Sequence, residues 1–596
     1  MTKPPVSGHS LARHALFNDV SAAALDALAS VSTLKSVSGG EVLVAQGDDA
    51  DALYFVESGR FRVVVNKIHI VAYIEAGEAL GELAFFADGK RTADVIATRD
   101  SVVLKVSRSA FDDIARNHPE LTQAMLKLVS ERLVVATSRA GSISSSPPRV
   151  IALLPAGTSR LPGGLLARLT AAFEGVVKAD TPVIALDQGT SEASDPAAYQ
   201  SWLAEQEAKG AYILIDGSGS EEWGEQVCRN ADALVMVGRP GQAEPDLNAM
   251  EHKAMRWIAS PQRTLLLIRE KAAKTISKSG VWIDPREPKL HHHVALDSDA
   301  DFAKVARFLT GRAVGLVLAG GGALGCAHLG VVQALREANV PIDFIGGASA
   351  GAAMGGAIAR GMSVEETLDQ MEAMFIKEKA MRRLTLPLYS LLDPTVFDAE
   401  LRQRYGTQDI ADQPIAFFGV STNLSTNGLH IHRRGPMWES VRASGSLPTI
   451  LPPFIDSEGN ILVDGGVLDN VPVKVMHDLK SGPNIVVSLG DPDEVWRTDV
   501  AYDDIRGRWT LMKDVLLRRK RDAEFPSIVE IMSRSMVVAS RMASKEMLGE
   551  HDILVNPPII HGMQILDWHL GRELAEMAAE YIAKQVIESA GLKHLG

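Results

Sequence analysis

The stretch Gly347-Ala348-Ser349-Ala350-Gly351 follows a strand-like run at residues 342–345 and opens a run of very small residues at 352–359 that favours a helix. A tight turn between a strand and a helix pushes a serine hydroxyl out of the backbone. Glycines are needed on either side because a Cβ there would collide with the strand or the helix. This context predicts a nucleophile elbow with Ser349 at its tip. G-x-S-x-G also arises by chance in glycine-rich segments, so the prediction depends on supporting elements elsewhere.

A glycine-rich loop upstream of the elbow is the second element. A strand pattern at residues 314–319 leads into Gly320-Gly321-Gly322-Ala323-Leu324-Gly325, and a helix pattern follows. Consecutive glycines before a helix expose backbone N–H groups to an anionic atom. A dinucleotide site would need an acid at the end of the next strand, about 20 residues on. That strand ends in glycines, and its one acid, Asp343, lies near its start. We therefore favour an oxyanion hole formed by the amides of residues 320–322.

The third element is a carboxylate at the end of a strand, in Ile461-Leu462-Val463-Asp464-Gly465-Gly466. An ordinary turn between strands would also use Asp-Gly. Desolvation can raise the pKa of a carboxyl far enough for it to take a proton from serine. A triad would add a histidine later in the chain. None of the later histidines lies in a recognisable strand-end loop beside glycines, so a Ser349–Asp464 dyad is the simpler prediction. Those histidines are His477, His551, His561 and His569.

The three motifs at these separations resemble those of the patatin-like phospholipases. The flanking sequence resembles more closely the bacterial relatives of neuropathy target esterase, as in Gly325-Cys326-Ala327-His328-Leu329-Gly330 and Asp464-Gly465-Gly466-Val467-Leu468-Asp469-Asn470-Val471-Pro472. The resemblance implies Ser349 as nucleophile, Asp464 as base, no required metal or other cofactor, and a phospholipid or lysophospholipid substrate. It marks as motif glycines Gly325, Gly347, Gly351, Gly465 and Gly466. Leu324 stands where the family usually has Arg or Lys, which would change the electrostatics beside the oxyanion loop.

The first part of the chain has a different pattern, in which short β-patterned runs alternate with glycines as in a small antiparallel barrel. The segment Gly81-Glu82-Leu83-Ala84-Phe85-Phe86-Ala87-Asp88-Gly89-Lys90-Arg91-Thr92-Ala93 resembles the phosphate-binding cassette of cyclic nucleotide-binding domains. The resemblance implies that Glu82 binds the ribose, that Arg91 and Thr92 bind the cyclic phosphate, and that a helix over residues 119–135 forms the lid. A barrel that has lost its ligand is the alternative. Because a buried Glu and Arg need partners, we favour a regulatory cyclic nucleotide.

The middle of the chain alternates five predicted strands with helices, which indicates a parallel α/β layer. It resembles the intermediate region of the neuropathy target esterase group, and the resemblance implies a structural or regulatory role. It contains no catalytic cluster. The run His291-His292-His293 suggests a metal site, but three adjacent side chains cannot share one face, so we expect a solvated turn. A basic amphipathic stretch at residues 516–521 would suit either an anionic membrane surface or a solvated helix face.

The length and composition of the chain limit the number of domains and the classes of function that it can have. The chain has 596 residues, too many for one core, and a formal net charge of −13, which argues against nucleic-acid binding. Two distant cysteines, Cys228 and Cys326, indicate a reducing compartment, and neither a signal peptide nor a membrane span is predicted. The expected architecture is multidomain: a β-barrel of the cyclic nucleotide-binding type at 16–135, a flexible linker at 136–148, a Rossmann-like α/β domain with a parallel sheet at 149–310, a patatin-like α/β hydrolase domain at 313–490, and a helical C-terminal extension at 491–596.

The sequence thus predicts a cytoplasmic serine lipid hydrolase, peripheral on the inner face of the membrane, that cleaves acyl esters of phospholipids or lysophospholipids and is regulated by a cyclic nucleotide. Two alternatives remain. One is a cyclic-nucleotide sensor with an inert hydrolase scaffold, which Leu324 would favour. The other is a nicotinamide-binding enzyme, which the missing ribose acid disfavours.

Overall fold

The computed structural model describes residues 11–489 apart from 13, 67–68, 88, 139–146, 191–195 and 273–275, then residues 547–587 and the isolated positions 497, 507, 531 and 534. The chain divides into two compact units, Met1–Arg312 and Ala313–Gly596. Most of the predicted linker and the basic stretch at 516–521 lie outside the described residues.

The N-terminal part of the first unit contains two four-stranded antiparallel sheets, as expected for a barrel of the cyclic nucleotide-binding type. Its strands are β1 (Thr33–Val37), β2 (Val42–Val44), β3 (Ala52–Ser58), β4 (Arg60–Val65), β5 (His69–Glu75), β6 (Ala79–Leu80), β7 (Asp94–Ala97) and β8 (Ser101–Ser107), and its helices are α1 (Ala22–Val31), α2 (Glu82–Phe86), α3 (Arg108–Ala115) and α4 (Pro119–Ser138). The sheet orders are β1-β8-β3-β6 and β2-β7-β4-β5.

Strand β3 shows why this region folds as a barrel covered by helices. Its alternate side chains point to opposite faces, as in any strand. Leu53 and Phe55 pack into a core with the helices, whereas Tyr54 and Val56 pack into the core between the strands. Both faces of β3 are therefore buried, and the helices serve as the second layer of the domain.

The remainder of the first unit is a six-stranded parallel sheet in the order β10-β11-β9-β12-β13-β14. Its strands are β9 (Val150–Pro155), β10 (Val183–Leu186), β11 (Tyr212–Asp216), β12 (Ala233–Gly238), β13 (Arg263–Arg269) and β14 (Leu290–Ala295), and its helices are α5 (Leu165–Val176), α6 (Pro196–Ala208), α7 (Glu221–Arg229), α8 (Ala249–Trp257), α9 (Gly280–Ile283) and α10 (Asp299–Leu309).

The sixth strand corrects one sequence prediction. The three adjacent histidines lie in β14, so the expectation of a solvated turn is wrong. His292 and His293 are buried, because the ring of His292 packs on Phe308 at 4.3 Å and Nδ1 of His293 lies 3.0 Å from Nη1 of Arg269. Their side chains alternate in direction along the strand. Among the described residues no group of His, Cys, Asp or Glu has the arrangement of a metal site.

A doubly wound sheet usually binds its ligand at the carboxyl ends of the strands where the order reverses, here between β9 and β12. A buried ion pair fills that crevice. Nε of Arg286 donates to Oε1 of Glu251 at 2.6 Å, and the amide of Gly157 donates to Oε2 of Glu251 at 2.9 Å. Both charged side chains are fully buried and hydrogen-bonded, which suits a structural role.

The second unit is built on an eight-stranded mixed sheet in the order β19-β20-β17-β16-β15-β21-β22, with β18 also paired to β17. Its strands are β15 (Gly315–Leu318), β16 (Phe344–Ala348), β17 (Ala416–Asn423), β18 (Gly428–His432), β19 (Phe454–Ile455), β20 (Ile461–Asp464), β21 (Asn484–Val487) and β22 (Ile553–Val555), and its helices are α11 (Cys326–Glu337), α12 (Ala350–Ala359), α13 (Val364–Glu372), α14 (Thr395–Tyr405), α15 (Met437–Ser444), α16 (Val473–Leu479) and α17 (Gly571–Tyr581).

Helix α17, close to the C-terminus, belongs to the same core as the motif-bearing helices. It packs on α11 so closely that a Cβ on Gly330 would lie 2.0 Å from the carbonyl oxygen of Ala575. No helix among the described residues is both long enough and apolar enough to cross a lipid bilayer.

Candidate active site

Ser349 stands at the turn between β16 and α12 with φ 49° and ψ −119°, a conformation that non-glycine residues seldom adopt. The flanking glycines make this turn possible. A Cβ on Gly351 would lie 2.1 Å from the carbonyl oxygen of Leu318, and a Cβ on Gly347 would lie 2.5 Å from the carbonyl carbon of Gly351. The backbone around the serine is therefore packed too closely for any other residue at either position.

Asp464 ends β20, and its carboxylate reaches the serine. Oγ of Ser349 donates to Oδ2 of Asp464 at 2.6 Å, while the amide of Gly466 donates to Oδ1 at 2.8 Å. The carboxyl group is 1% exposed, and this burial raises its pKa to about 6. An ionised carboxylate with this pKa is a stronger base than an ordinary aspartate, which suits it to take a proton from serine near neutral pH.

The sheet brings these two residues together across 115 positions of sequence. Strand β17 lies between β16 and β20: Ala348 is in register with Val420, and Asp464 is in register with Ser421. The serine and the aspartate are thus held at neighbouring register positions of one sheet, which limits how far either residue can move.

The C-terminal end of α15 supports both residues, a contribution that the sequence analysis missed. Oγ of Ser444 accepts from the amide of Ser349 at 2.7 Å and donates to the carbonyl of Val420 at 2.6 Å. The carbonyl of Ser446 accepts from the amide of Asp464 at 2.9 Å. Nothing in the local sequence around Ser444 and Ser446 indicates which backbone groups they contact.

The glycine-rich loop lies against Ser349, since a Cβ on Gly320 would be 2.9 Å from Cβ of Ser349. The amide of Gly320 donates to the carbonyl of Asn470 at 3.2 Å. In the part of the chain that the structure describes, the amides of Gly321 and Gly322 donate to no protein acceptor. These two N–H groups therefore have the capacity to bind an anionic atom near the serine hydroxyl.

A buried histidine braces the same loop. His328 is fully buried, and its Nε2 lies 2.7 Å from the carbonyl oxygen of Ala319, directly before Gly320. Burial lowers the pKa of His328 to about 4, so the ring is neutral at physiological pH. Neutral imidazole with the proton on Nε2 donates to that carbonyl and fixes the start of the glycine loop.

The histidines considered for a triad lie elsewhere. Nε2 of His477 pairs with Oδ2 of Asp552 at 2.8 Å. His551, His561 and His569 are solvent-exposed. Over the described residues 11–489 and 547–587, no histidine is hydrogen-bonded to the carboxylate that contacts Ser349.

The cassette of the first unit has a different arrangement from the one expected. Glu82 is 1% exposed and pairs with Arg132 of α4, while Arg91 donates to the carbonyls of Gly81 and Ala52 at 2.9 and 2.6 Å. The expectation that both charges need a ligand as partner is therefore wrong. Oε2 of Glu82 is nevertheless buried without a hydrogen-bond partner, and Thr92 is exposed.

A family model described as patatin-like phospholipase matches residues 316–477, and one described as cyclic nucleotide-binding domain matches residues 34–118. Patatin-like phospholipase domain-containing protein 7 of Mus musculus is 28% identical over 80% of this chain and 39% of its own length. Neuropathy target esterase sws of Drosophila melanogaster is 28% identical over 80% of this chain and 37% of its own. Residues 316–477 therefore resemble the patatin-like phospholipases, and most of the chain is similar to proteins of the neuropathy target esterase group.

The chain is similar to further proteins as well. Lysophospholipase nte1 of Aspergillus fumigatus is 29% identical over 80% of this chain and 36% of its own length. This patatin-like chain thus spans about two fifths of the length of the curated relatives it matches. A solved cyclic nucleotide-binding domain from Methylobacillus flagellatus KT aligns with 22% of the chain and 83% of its own length, at 22% identity and a TM-score of 0.21.

The patatin-like domain contains a mostly apolar cavity directly above Ser349. It is lined by the glycine loop, Ser349 and Asp464, and by Ala350, Ala353, Phe375, Met381, Phe397, Val441, Gly445, Leu447, Ile450, Asn470, Ile565, Leu566 and Trp568. Apolar walls with polar groups at one end are typical of a site for an amphipathic ligand. Leu324 is half-buried and does not line the cavity.

Residues close to the C-terminus form one wall of this cavity. The ring of Trp568 stacks on Phe375 with centroids 3.7 Å apart and planes 7° apart. The carbonyl of Ile565 accepts from the amide of Ala323, which joins the wall to the glycine loop at 2.8 Å. The sequence predicts this region only as a helical extension, because nothing local distinguishes a residue that lines a cavity from one that packs between helices.

Proposed function

We propose that this chain hydrolyses acyl esters of phospholipids or lysophospholipids, with Ser349 as nucleophile and Asp464 as general base. The observation that carries the proposal is the 2.6 Å hydrogen bond from a serine hydroxyl in a strained elbow to a buried carboxylate, at the end of an apolar cavity. The names of the relatives, which include phospholipase, esterase and lysophospholipase, support the same reaction class.

In the first half-reaction, Asp464 accepts the hydroxyl proton as Oγ of Ser349 attacks the ester carbonyl carbon. The amides of Gly321 and Gly322 stabilise the oxyanion that develops on the carbonyl oxygen. Collapse of the tetrahedral intermediate breaks the ester C–O bond, and Asp464 returns its proton to the leaving alcohol. The acyl group remains on Ser349.

In the second half-reaction a water molecule takes the place of the alcohol. Asp464 removes a proton from water as its oxygen attacks the acyl-serine, and the oxyanion again lies at the glycine amides. Expulsion of Oγ, with return of the proton, releases the fatty acid and regenerates Ser349. Burial of the substrate's acyl chain against Phe375, Leu447 and Trp568 favours long acyl groups, since each buried methylene contributes about 0.8 kcal/mol to the binding free energy.

The test uses Ser349→Ala, Asp464→Asn and the double variant, assayed on a monoacyl phospholipid and labelled with a fluorophosphonate. We expect each single variant to lose at least about 100-fold in activity, and the double variant to be no worse than either, because members of a catalytic unit are not additive. Asp456→Asn, which changes a half-buried carboxylate that accepts from the amides of Glu458 and Asn460 in the turn before β20, is the matched control. Retention of more than about a tenth of activity in Asp464→Asn would contradict the dyad.

We also propose that the barrel domain binds a cyclic nucleotide and that binding modulates hydrolysis. The unpartnered, buried Oε2 of Glu82 supports a ribose contact, since a buried acceptor without a donor is costly. Arg91 lies beside Gly81 at the start of α2, where the amide groups of a helix end favour an anion.

A route for modulation begins where the barrel packs on the parallel sheet of the same unit. Arg99, directly before β8, is 3% exposed and pairs with Asp232 at 2.7 Å and with Glu207. Asp100 pairs with Arg229 at 2.9 Å. Buried ion pairs resist separation, because breaking one leaves an uncompensated buried charge. A displacement of the barrel on nucleotide binding would therefore also move the parallel-sheet domain to which these pairs hold it.

Calorimetric titration with cAMP, cGMP and a cyclic dinucleotide, with hydrolysis assayed in parallel, tests this second proposal. Binding that is lost in Arg91→Ala and retained in Lys90→Ala, its exposed neighbour, would support the site. The coupling free energy between two allosteric sites is typically about 1–3 kcal/mol. We therefore expect nucleotide binding to change the hydrolytic activity by about 5- to 150-fold. Binding without any change in hydrolysis would refute regulation, and binding without hydrolysis at all would indicate a sensor with an inert scaffold.

A further inference from the structure

The segment that connects the π-helical turn Ala373–Lys377 to α14 exposes a cluster of large apolar side chains. Leu384, Leu386, Leu388 and Tyr389 are 81%, 78%, 78% and 82% exposed. Single apolar residues on a surface are ordinary, but a contiguous cluster marks a surface that another body covers. We call residues 384–389 the leucine loop.

The leucine loop is tied to the rim of the active-site cavity. Leu384 forms an antiparallel bridge with Leu392, whose amide donates to the carbonyl of Ile450 at 3.0 Å. Ile450 lines the cavity, and so does Met381, three residues before the loop. The leucine loop therefore lies beside residues that line the cavity.

The residues that lead into the loop are mostly cationic. Lys377, Lys379, Arg382 and Arg383 are all exposed, against one acid, Glu378. Residues 376–389 therefore carry a formal charge of +3, from four cations and one acid, in a chain whose net charge is −13. Apolar side chains flanked by cations are the combination that binds the interfacial region of anionic bilayers.

We propose that the leucine loop inserts into the surface of an anionic phospholipid bilayer, with the four cations at the level of the headgroups, and so places the cavity rim where a lipid can enter. The charge of the flanking residues argues for an anionic lipid surface over an apolar protein partner, and tyrosine is favoured at the same depth. The purpose of this contact rests on the proposed lipid hydrolase function, but the contact itself is testable without catalysis. It is separate from the predicted basic stretch at 516–521, which lies outside the described residues.

The experiment measures sedimentation of the full chain with vesicles of phosphatidylcholine alone or with one third phosphatidylglycerol, in the Ser349→Ala background so that the lipid is not consumed. The test variant is Leu384→Ser/Leu386→Ser/Leu388→Ser, and Leu424→Ser, another exposed leucine, is the matched control. We expect the triple variant to bind anionic vesicles roughly tenfold or more weakly, and the control to change less than about twofold. Arg382→Gln/Arg383→Gln should lose the preference for anionic vesicles. It should bind neither vesicle composition more tightly than the triple leucine variant does.

With Ser349 restored, the triple variant should hydrolyse a short water-soluble ester at the wild-type rate and vesicle lipid roughly tenfold more slowly. This comparison also shows that the variant folds. Equal vesicle binding by wild type and triple variant, or no binding by either, would overturn the proposal. So would sedimentation velocity showing that the substitutions dissociate a dimer, because the loop would then be a contact between copies. Vesicle binding that depends on the loop, with no hydrolysis of any ester, would leave the contact standing and refute the proposed enzyme function.

Discussion

Replacing Asp464 with asparagine should remove hydrolytic activity and, above pH 6, make the protein more stable. The carboxyl is fully buried, and burial raises its pKa from 3.8 to about 6. Since the unfolded chain has the ordinary pKa, the folded state binds the proton more tightly between pH 4 and 6. The stability of the wild type therefore falls as the pH rises through that window, and the loss is complete above pH 6.

The magnitude follows from the two pKa values. At 1.36 kcal/mol per pH unit, a rise from 3.8 to about 6 costs the folded protein about 3 kcal/mol once the group is ionised. An asparagine avoids that cost but makes a poorer hydrogen bond with Oγ of Ser349, which removes roughly 1 kcal/mol of the gain. We expect a net stabilisation of about 2 kcal/mol, which corresponds to a rise of about 3 °C in the melting temperature of the unit Ala313–Gly596.

Thermal unfolding of wild type and Asp464→Asn at pH values from 4 to 8 measures this difference. The gain should be close to zero near pH 4, grow between pH 4 and 6, and stay constant above. Asp456→Asn should show no such gain, because the hydrogen bonds from Asn460 lower the pKa of this half-buried carboxylate instead of raising it. A difference that is independent of pH, or an Asp464→Asn variant that melts below wild type at pH 7.5, would refute the argument that burial makes this base reactive.

Three further predictions concern the same site. Ser444→Ala should lower kcat/KM at least about tenfold and slow fluorophosphonate labelling, because the amide of Ser349 loses its acceptor; unchanged labelling would contradict a positioning role. Gly351→Ala should abolish soluble expression, since its Cβ would lie 2.1 Å from a backbone oxygen. Gly356→Ala in the same helix should be tolerated, because the atom nearest to its Cβ would be the sulfur of the flexible Met437 side chain, at 3.3 Å. The kcat/KM for a neutral ester should rise with pH and level off above about 6, as Asp464 ionises; a profile that falls across that range would indicate an acid as the essential form.

Local sequence was sufficient to predict that Ser349 lies in a tight turn and that Asp464 lies at the end of a strand. The glycine at 347 is dictated by a contact within a few residues, since its Cβ would lie 2.5 Å from the carbonyl carbon of Gly351, whereas Gly351 is also required by the neighbouring strand β15. The strand that ends at Asp464 was readable from its apolar run. Both features belong to short segments, where turn chemistry and periodicity carry the information.

Local pattern failed where burial decided the outcome. The three adjacent histidines were predicted to form a solvated turn because their side chains cannot share one face, yet the position of β14 beside β13 and the packing of His292 on Phe308 bury His292 and His293. In the cassette, the charges of Glu82 and Arg91 suggested a ligand, but Arg132 from a helix 50 residues later supplies a partner to Glu82. Neither contact can be predicted from the hydrophobic periodicity of the histidine-containing strand or of the cassette.

The sequence by itself determined the two domain types, the elbow, the glycine loop and the carboxylate, because each depends on residues close together in the chain. Only the tertiary structure decided that Asp464 rather than a histidine lies against Ser349, since strand β17 sets the register between them. It also decided that Ser444 holds the elbow, that Trp568 closes the cavity and that the leucine loop lies at its rim. These are long-range contacts, and the free energy that selects them comes from packing of the whole unit, which no segment of the sequence contains on its own.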